Sequence, residues 1–218
     1  MILEIYTDAS IKTFNNGRVF GCSGAICSTT GGSIYTINPD TTNNKSELLA
    51  VYNGLLLADG IKNSLTEDCE IHIYSDSQFA IYGLTRWMYA WLKTRDADGV
   101  IYGSNGMPVK NQSLFAMILS FMSTNNMRVY FHHMAGHVNY NSPKMLEKAN
   151  VTYFKSNGYY LKPEDIYKIS YYNDIVDRTS RAKLDSINPN DFPVQEFNEG
   201  KLLAKYTIPN NFNKFIGR

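Results

Sequence analysis

Three acidic residues stand in three segments of different periodicity, and their placement limits the folds open to this chain. Asp8 follows a strand-like run in Ile5-Tyr6-Thr7-Asp8-Ala9-Ser10, and Asp76 closes a second one in Ile73-Tyr74-Ser75-Asp76-Ser77-Gln78. Glu47 lies where Asn43-Asn44-Lys45-Ser46-Glu47-Leu48 opens an amphipathic helix. A fold that sets two strand ends beside one helix start gathers three anionic oxygens, and oxygen sets of that kind suit hard cations, magnesium above all.

The rest of the chain supplies such a fold. Residues 2–7, about 19–28 and 33–38 are rich in Ile, Val, Tyr, Thr and Cys and are separated by Asn15-Asn16-Gly17 and Gly31-Gly32, the pattern of an antiparallel meander. From Lys45 to about Ile61 apolar residues recur at helical spacing, with Asn43 or Asn44 as the expected cap and Glu47 in the first turn. Glu70–Ser75 reads as a strand and Ser77–Trp91 as a helix, a crossover that sets this strand parallel to the first. Asp8 and Asp76 then sit at carboxyl ends of strands, where open α/β sheets bind ligands. A helix from Asn111 to about Met122 and a strand at Met127–His132 follow. The expected architecture is α/β, with a five-stranded mixed sheet, antiparallel meander plus parallel strands, flanked by helices.

Composition narrows the function classes. A chain of 218 residues that is 44% hydrophobic can bury a sizeable core. The net charge of +1 provides no broad electrostatic grip on phosphate, so any nucleic-acid contact has to be local and shape-based. Cys22, Cys27 and Cys69 are few and odd in number within apolar runs, which argues against a disulfide framework or a zinc cluster. Met1 leads straight into a strand-like run with no basic or long apolar leader, so a soluble, cytoplasmic protein without membrane contact is expected.

The acidic segments resemble those of the type 1 ribonuclease H family. Thr7-Asp8-Ala9-Ser10 is similar to the family's Thr-Asp-Gly-Ser, Thr41-Thr42-Asn43-Asn44 with Glu47 to its Thr-x-Asn-Asn-x-x-Glu, and Asp76-Ser77-Gln78 with Trp87 and Trp91 to its Asp-Ser-Gln helix. Pro108-Val109-Lys110-Asn111 resembles the stretch before its next helix, and Ala135-Gly136-His137 its histidine loop. The resemblance runs in family order from residue 1 to about 184. It implies a ribonuclease H-like fold and an endonuclease that hydrolyses the RNA strand of RNA–DNA hybrids with two Mg2+ ions, Mn2+ being a possible substitute. It also implies 5′-phosphomonoester products, primer or hybrid removal during DNA replication, and a monomer, since the family's site is complete in one chain.

Residue by residue, the resemblance makes Asp8, Glu47 and Asp76 metal ligands, Asp8 bridging. A fourth acid would come from the closing helix. Asp177 ranks first, because Asp177-Arg178-Thr179-Ser180-Arg181-Ala182 is similar to the family's Asp-Arg-Leu-Ala-Arg-x-Ala; Asp174 and Glu147 stay open as rivals. His137 would move protons or help product leave, imidazole titrating near neutrality. His132 and His133 are weaker candidates, expected to alternate between core and surface. Asn44 and Gln78, with backbone near Ser10, would read the 2′-hydroxyl that separates RNA from DNA. Thr42, Asn16 and Asn111 could position phosphates, Trp87 would lie against the DNA sugar, and Trp91 could equally be core.

The chain departs from the family pattern in three places. About 40 residues separate His137 from Asp177, enough for an extra helix: Ser142-Pro143 can open it and Gly158 can end it, before a second helix that runs from Pro163 to about Leu184. The expected division is therefore a domain at 1–184, with an insertion at about 138–162, and a tail at 185–218. That tail carries prolines, asparagines and isolated aromatics (Phe192, Phe197, Tyr206, Phe212, Phe215), and would dock on the domain or a replication partner, or stay mobile. Where relatives carry a basic handle, Lys93-Thr94-Arg95-Asp96-Ala97-Asp98 balances two cations with two aspartates. A non-catalytic nucleic-acid or protein-binding module on the same fold is the alternative.

Overall fold

In a computed structural model that describes residues 1–64, 69–194, 205–206 and 208–217, the first strand is twice as long as its apolar run suggests. β1 (Ile2–Thr13) pairs in parallel with β4 (Glu70–Ser75) only as far as Thr7↔Ser75, then continues antiparallel to β2 (Val19–Cys27) through Thr13↔Val19. Asp8 thus lies inside a strand and not at its end, at the point where β1 loses its parallel neighbour. With β3 (Ser33–Asn38) and β5 (Val129–His133) the sheet order is β3-β2-β1-β4-β5, β4 and β5 being parallel. This is the five-stranded mixed sheet expected.

Helices cover both faces. α1 (Asn43–Lys62), α2 (Gln78–Tyr82) and α4 (Gln112–Thr124) pack on one side around Leu48, Leu55, Ile73, Leu84 and Phe115. α5 (Pro143–Asn157) and α6 (Pro163–Ser186) cover the other, over Tyr6, Tyr74, Met134, Tyr153 and Ile169. α5 is the extra helix, closed by Gly158 at φ +89. Ser142 takes its cap position, but its side chain makes no capping bond.

Two local features differ from the sequence pattern. The cap of α1 is Thr42, whose hydroxyl accepts from the Lys45 amide at 3.4 Å, so Asn43 and Asn44 sit inside the first turn and Glu47 falls in the second. The Ser77–Trp91 segment is not one regular helix: the Met88 amide reaches back five residues to Gly83, giving a wide turn at Gly83–Trp87 before α3 (Met88–Trp91). Gly83 explains the offset in part, because a Cβ there would lie 2.4 Å from the Phe115 ring. Such π-type turns recur at functional sites, and this one ends on Trp87.

The C-terminal segment docks on the domain. The Val129 amide donates to the Phe215 carbonyl at 2.8 Å and the Gly217 amide to the Val129 carbonyl at 2.7 Å, covering the outer edge of β5 that would otherwise offer unpaired backbone groups. Ile208, Phe212 and Ile216 are buried in the main core, and the Phe192 ring meets Phe20 edge-on at 5.4 Å. Phe197 lies outside the described residues. Cys22, Cys27 and Cys69 form no disulfide among the described residues. Among the described residues, no helix is long and apolar enough to cross a membrane.

Candidate active site

The site lies where β1 parts from β4. Asp8 points from the strand, Asp76 follows the last residue of β4, and Glu47 leans in from the second turn of α1; each offers an oxygen, and these lie within 4.8 Å of one another. Asp8 and Glu47 are buried, at 3% and 6% exposure. Asp8 Oδ1 accepts from the Ala9 amide at 2.8 Å, but Asp8 Oδ2 and Glu47 Oε2 find no hydrogen-bond partner among the described residues. A buried carboxylate oxygen without a donor is strongly disfavoured unless a proton or a cation meets it.

The titration of the cluster reflects that strain. Asp8 is raised well above the ordinary carboxylate range by burial first, then by the charges of Asp76 and Asp177. Glu47 is raised well above it by burial and then by Asp8, Asp76 and Asp177. Asp76 is raised by burial, against an opposing hydrogen bond from Asn173. Oxygen-only donors, close spacing and orphaned lone pairs together fit a divalent cation.

Of the three candidates for a fourth acid, Asp177 is the one that lines the acidic cavity. Asp177, 6% exposed, lines the same cavity of about 730 Å³ as Asp8, Glu47 and Asp76. Its Oδ1 accepts from the Ser10 hydroxyl at 3.1 Å, and its Oδ2 lies 2.7 Å from Arg181 Nη2 and 3.4 Å from His137 Nδ1. Asp174 instead pairs with Arg178 at 2.7 Å, and Glu147 is exposed on α5; neither lines the cavity.

His137 is 69% exposed at its side chain and holds a left-handed backbone, φ +51, a conformation uncommon for a residue with a Cβ. Before it, Gly136 packs on Asp76: a Cβ there would meet Asp76 Oδ2 at 2.0 Å. Asn173 Nδ2 donates to that same oxygen at 3.3 Å. Sequence reading missed Asn173 and Arg181, although both stand four residues from Asp177 and share its helical face.

The substrate candidates divide. Ser10, Asn44 and Gln78 line the catalytic cavity. Thr42 and Asn111 line a second cavity of about 730 Å³ that shares Asn43 and Asn44 with the first; Asn111 has φ +59 and makes no capping bond. Asn16 is not brought in: its Oδ1 accepts from the Arg18 amide at 3.1 Å in the β1–β2 turn, a local bond natural for Asn there. Trp87 is 36% exposed, whereas Trp91 packs edge-on against Phe115 at 5.6 Å and belongs to the core.

His132 and His133 do not alternate between core and surface; both are buried, at 7% and 8% exposure, His132 against Tyr153 of α5 and His133 between Tyr82 of α2 and Ser156. In the loop at 93–102, Arg95 donates to the Ile208 carbonyl at 3.2 Å and Asp96 accepts from the Tyr102 hydroxyl at 2.9 Å. Those charges serve the loop and the docked tail.

Comparison with known proteins relates the sequence to one family. The RNase H family model matches residues 2–150, ending before α6. The chain is similar to Ribonuclease H of Rhodopirellula baltica, 33% identical over 121 residues, 54% of this chain and 67% of the relative. It is 36% identical over 115 residues to Ribonuclease H of Hahella chejuensis, 52% and 68% of the two chains. It is 29% identical over 162 residues to that of Bartonella bacilliformis, 73% and 95%. Among solved structures, LC9-RNase H1 shares 18% identity at a TM-score of 0.46, over 75% of this chain and 79% of that one.

Proposed function

The chain belongs to the type 1 ribonuclease H family and is a ribonuclease H enzyme, and from that premise we propose that it hydrolyses the RNA strand of RNA–DNA hybrids as an endonuclease leaving 5′-phosphates. The observation that carries this reading is the pair of orphaned oxygens, Asp8 Oδ2 and Glu47 Oε2, within a cluster that also holds Asp76. A binding module has no use for buried, mutually repelling carboxylates facing a phosphate.

In this reading Asp8, Glu47, Asp76 and Asp177 hold two divalent cations, Mg2+ with Mn2+ as substitute. Such ions make water nucleophilic at neutral pH and stabilise charge on the leaving oxygen. The remaining work falls to the chain. Asn173 and Gly136 fix Asp76 Oδ2 from behind. Arg181 and the Ser10 hydroxyl orient Asp177. His137 faces Asp177 through Nδ1, so a proton held there leaves Nε2 to accept one from the reacting group or give it to the product. Asn44 and Gln78, at the openings of α1 and α2, read the 2′-hydroxyl; Thr42 and Asn111 in the adjoining cavity seat phosphates; the exposed Trp87 edge takes the DNA sugar. The setting proposed is primer or hybrid removal during DNA replication, by a monomer.

The test is cleavage of a labelled RNA–DNA hybrid beside duplex DNA and duplex RNA, with magnesium, manganese or chelator, by the native chain, Asp76→Asn and Asp177→Asn. Hybrid-only, metal-dependent cutting lost in both variants supports the reading. Cutting that survives Asp177→Asn removes that residue from the site, and no cutting under any metal overturns the proposal.

A further inference from the structure

α5 (Pro143–Asn157) turns Ala149 and Tyr153 into the domain. On its outer side Lys144, Lys148, Val151 and Lys155 follow at i, i+4, i+7 and i+11, all exposed. At 3.6 residues per turn they fall within an arc of about 60° along roughly 16 Å of helix. Among the described residues none of these lysines lies within ion-pairing distance of a carboxylate, whereas Lys12, Lys168, Arg178 and Arg181 each do. Like charges at i, i+4 disfavour a helix, and the only acid of α5, Glu147, does not pair with them.

The end of α5 beside Lys155 is fastened to the wide turn that ends on Trp87. Arg86 Nη2 donates to the Ser156 carbonyl, and the Tyr82 and Ser156 hydroxyls share a hydrogen bond of 2.9 Å. Arg86 is itself exposed, its guanidinium flat over the Tyr82 ring at 3.9 Å. Phe154 of α5 and Tyr160 just past it stack at 4.4 Å, 39% and 58% exposed, with Lys162 beyond them. Cations with exposed aromatic faces match a nucleic-acid backbone and its sugars or bases.

We propose that α5 is an auxiliary nucleic-acid handle, in which Lys144, Lys148 and Lys155 contact the phosphates of the duplex that extends beyond the catalytic groove. This rests on the hybrid reading above. It assigns to the inserted helix the electrostatic grip that the loop at 93–98 lacks, where Arg95 is tied to the tail.

The experiment is equilibrium binding of a labelled hybrid, in chelator so that nothing is cut, over a range of salt concentrations. It compares the native chain with Lys144→Gln/Lys148→Gln/Lys155→Gln and with a charge-matched control, Lys62→Gln/Arg128→Gln/Lys214→Gln, whose positions lie off α5. Gln keeps near-equal helix propensity, and circular dichroism checks the fold. The expected result is that the α5 variant binds a long hybrid with a log–log salt slope shallower by roughly 2.5. Its weakening should be largest at low salt and small for a hybrid too short to reach α5. The control should keep the native slope, and duplex DNA should respond like the hybrid because phosphates carry no sugar identity. Equal loss in both triple variants, or an unchanged slope, overturns the proposal. Turnover at saturating substrate stays native in the α5 variant; if no protein cuts hybrid while the α5 effect on binding persists, the nuclease reading fails and the handle stands.

Discussion

Around Asp8, Glu47 and Asp76 the protein buries carboxylate oxygens without hydrogen-bond partners among the described residues, whereas across β4 and β5, toward α5, it joins buried His132 and Tyr153 to partly buried His72 and exposed Glu70 and Tyr159 in one chain. There His72 Nε2 meets Glu70 Oε1 at 2.8 Å and His72 Nδ1 meets His132 Nε2 at 2.9 Å. The Tyr153 hydroxyl meets His132 Nδ1 at 3.0 Å and the Tyr159 hydroxyl at 2.8 Å. The same rings stack: Tyr74 on His132 at 4.6 Å, His132 on His72 at 5.1 Å, and His72 on Tyr130 at 4.8 Å. One cluster satisfies itself and serves the fold. The other is incomplete and leaves its lone pairs for something the chain does not contain. What separates the two here is that the acidic cluster leaves carboxylate oxygens unmet, while His72, His132 and Tyr153 are bonded one to the next.

This contrast can be broken most forcefully at Asp8 and Asp76. Asp8→Asn and Asp76→Asn should each lower hybrid cleavage by at least about a thousandfold, while Asp8→Asn raises the melting temperature in chelator, because it removes a buried, repelled charge. A native-like cleavage rate, or a lower melting temperature for Asp8→Asn in chelator, would contradict the assignment.

Next in size, magnesium at about 100 times its dissociation constant should stabilise the native chain by ~2.7 kcal/mol and Asp8→Asn by much less. Thermal melts with and without the ion read this directly. Tyr153→Phe should act on the opposite cluster, stranding the buried His132 Nδ1 at a cost of about 1–3 kcal/mol, with turnover below the melting range unchanged. Loss of turnover at full folding would join the two clusters functionally.

The smallest effect is in pH dependence, where the clusters should slope oppositely by up to about 1.4 kcal/mol per pH unit per group. Burial pushes His132 down to about 3, with the charge of His72 adding to it. The unfolded chain therefore binds more protons than the folded one below the ordinary histidine value, and stability is lost as pH falls from about 6.5 toward 3. Asp8, Glu47 and Asp76 are raised, so the folded chain holds more protons than the unfolded one above the ordinary carboxylate range, and in chelator stability is lost as pH rises. Denaturant midpoints against pH should show His132→Asn flattening the acid side and Asp8→Asn the other.

Much of this was legible in the chain because short-range pattern carries it. Gly17 and Gly31 take positive φ where hairpins were expected, and Gly158 ends α5 where it was expected to. What failed did so for non-local reasons. β1 runs on past Asp8 because β2 keeps pairing with it after β4 stops, a fact of the sheet and not of residues 2–13. Thr42 displaces Asn43 and Asn44 as cap, which turns both asparagines toward the two cavities. Asn16 was expected to help position phosphate, yet its turn engages it locally.

By itself, then, the sequence determined the order of elements, the identity of the first three acids and the family, since periodicity and motif spacing are properties of neighbours along the chain. Only the tertiary structure decided that Asp177, and not Asp174 or Glu147, lines the cavity that Asp8, Glu47 and Asp76 share. It likewise decided that His132 and His133 are buried, that the C-terminal aromatics pack on this domain, and that three lysines of the inserted helix share one unpaired face. The physical reason is common to these cases. Burial and charge pairing depend on which distant segment covers a residue, and that is settled only when sheet, helices and tail pack together.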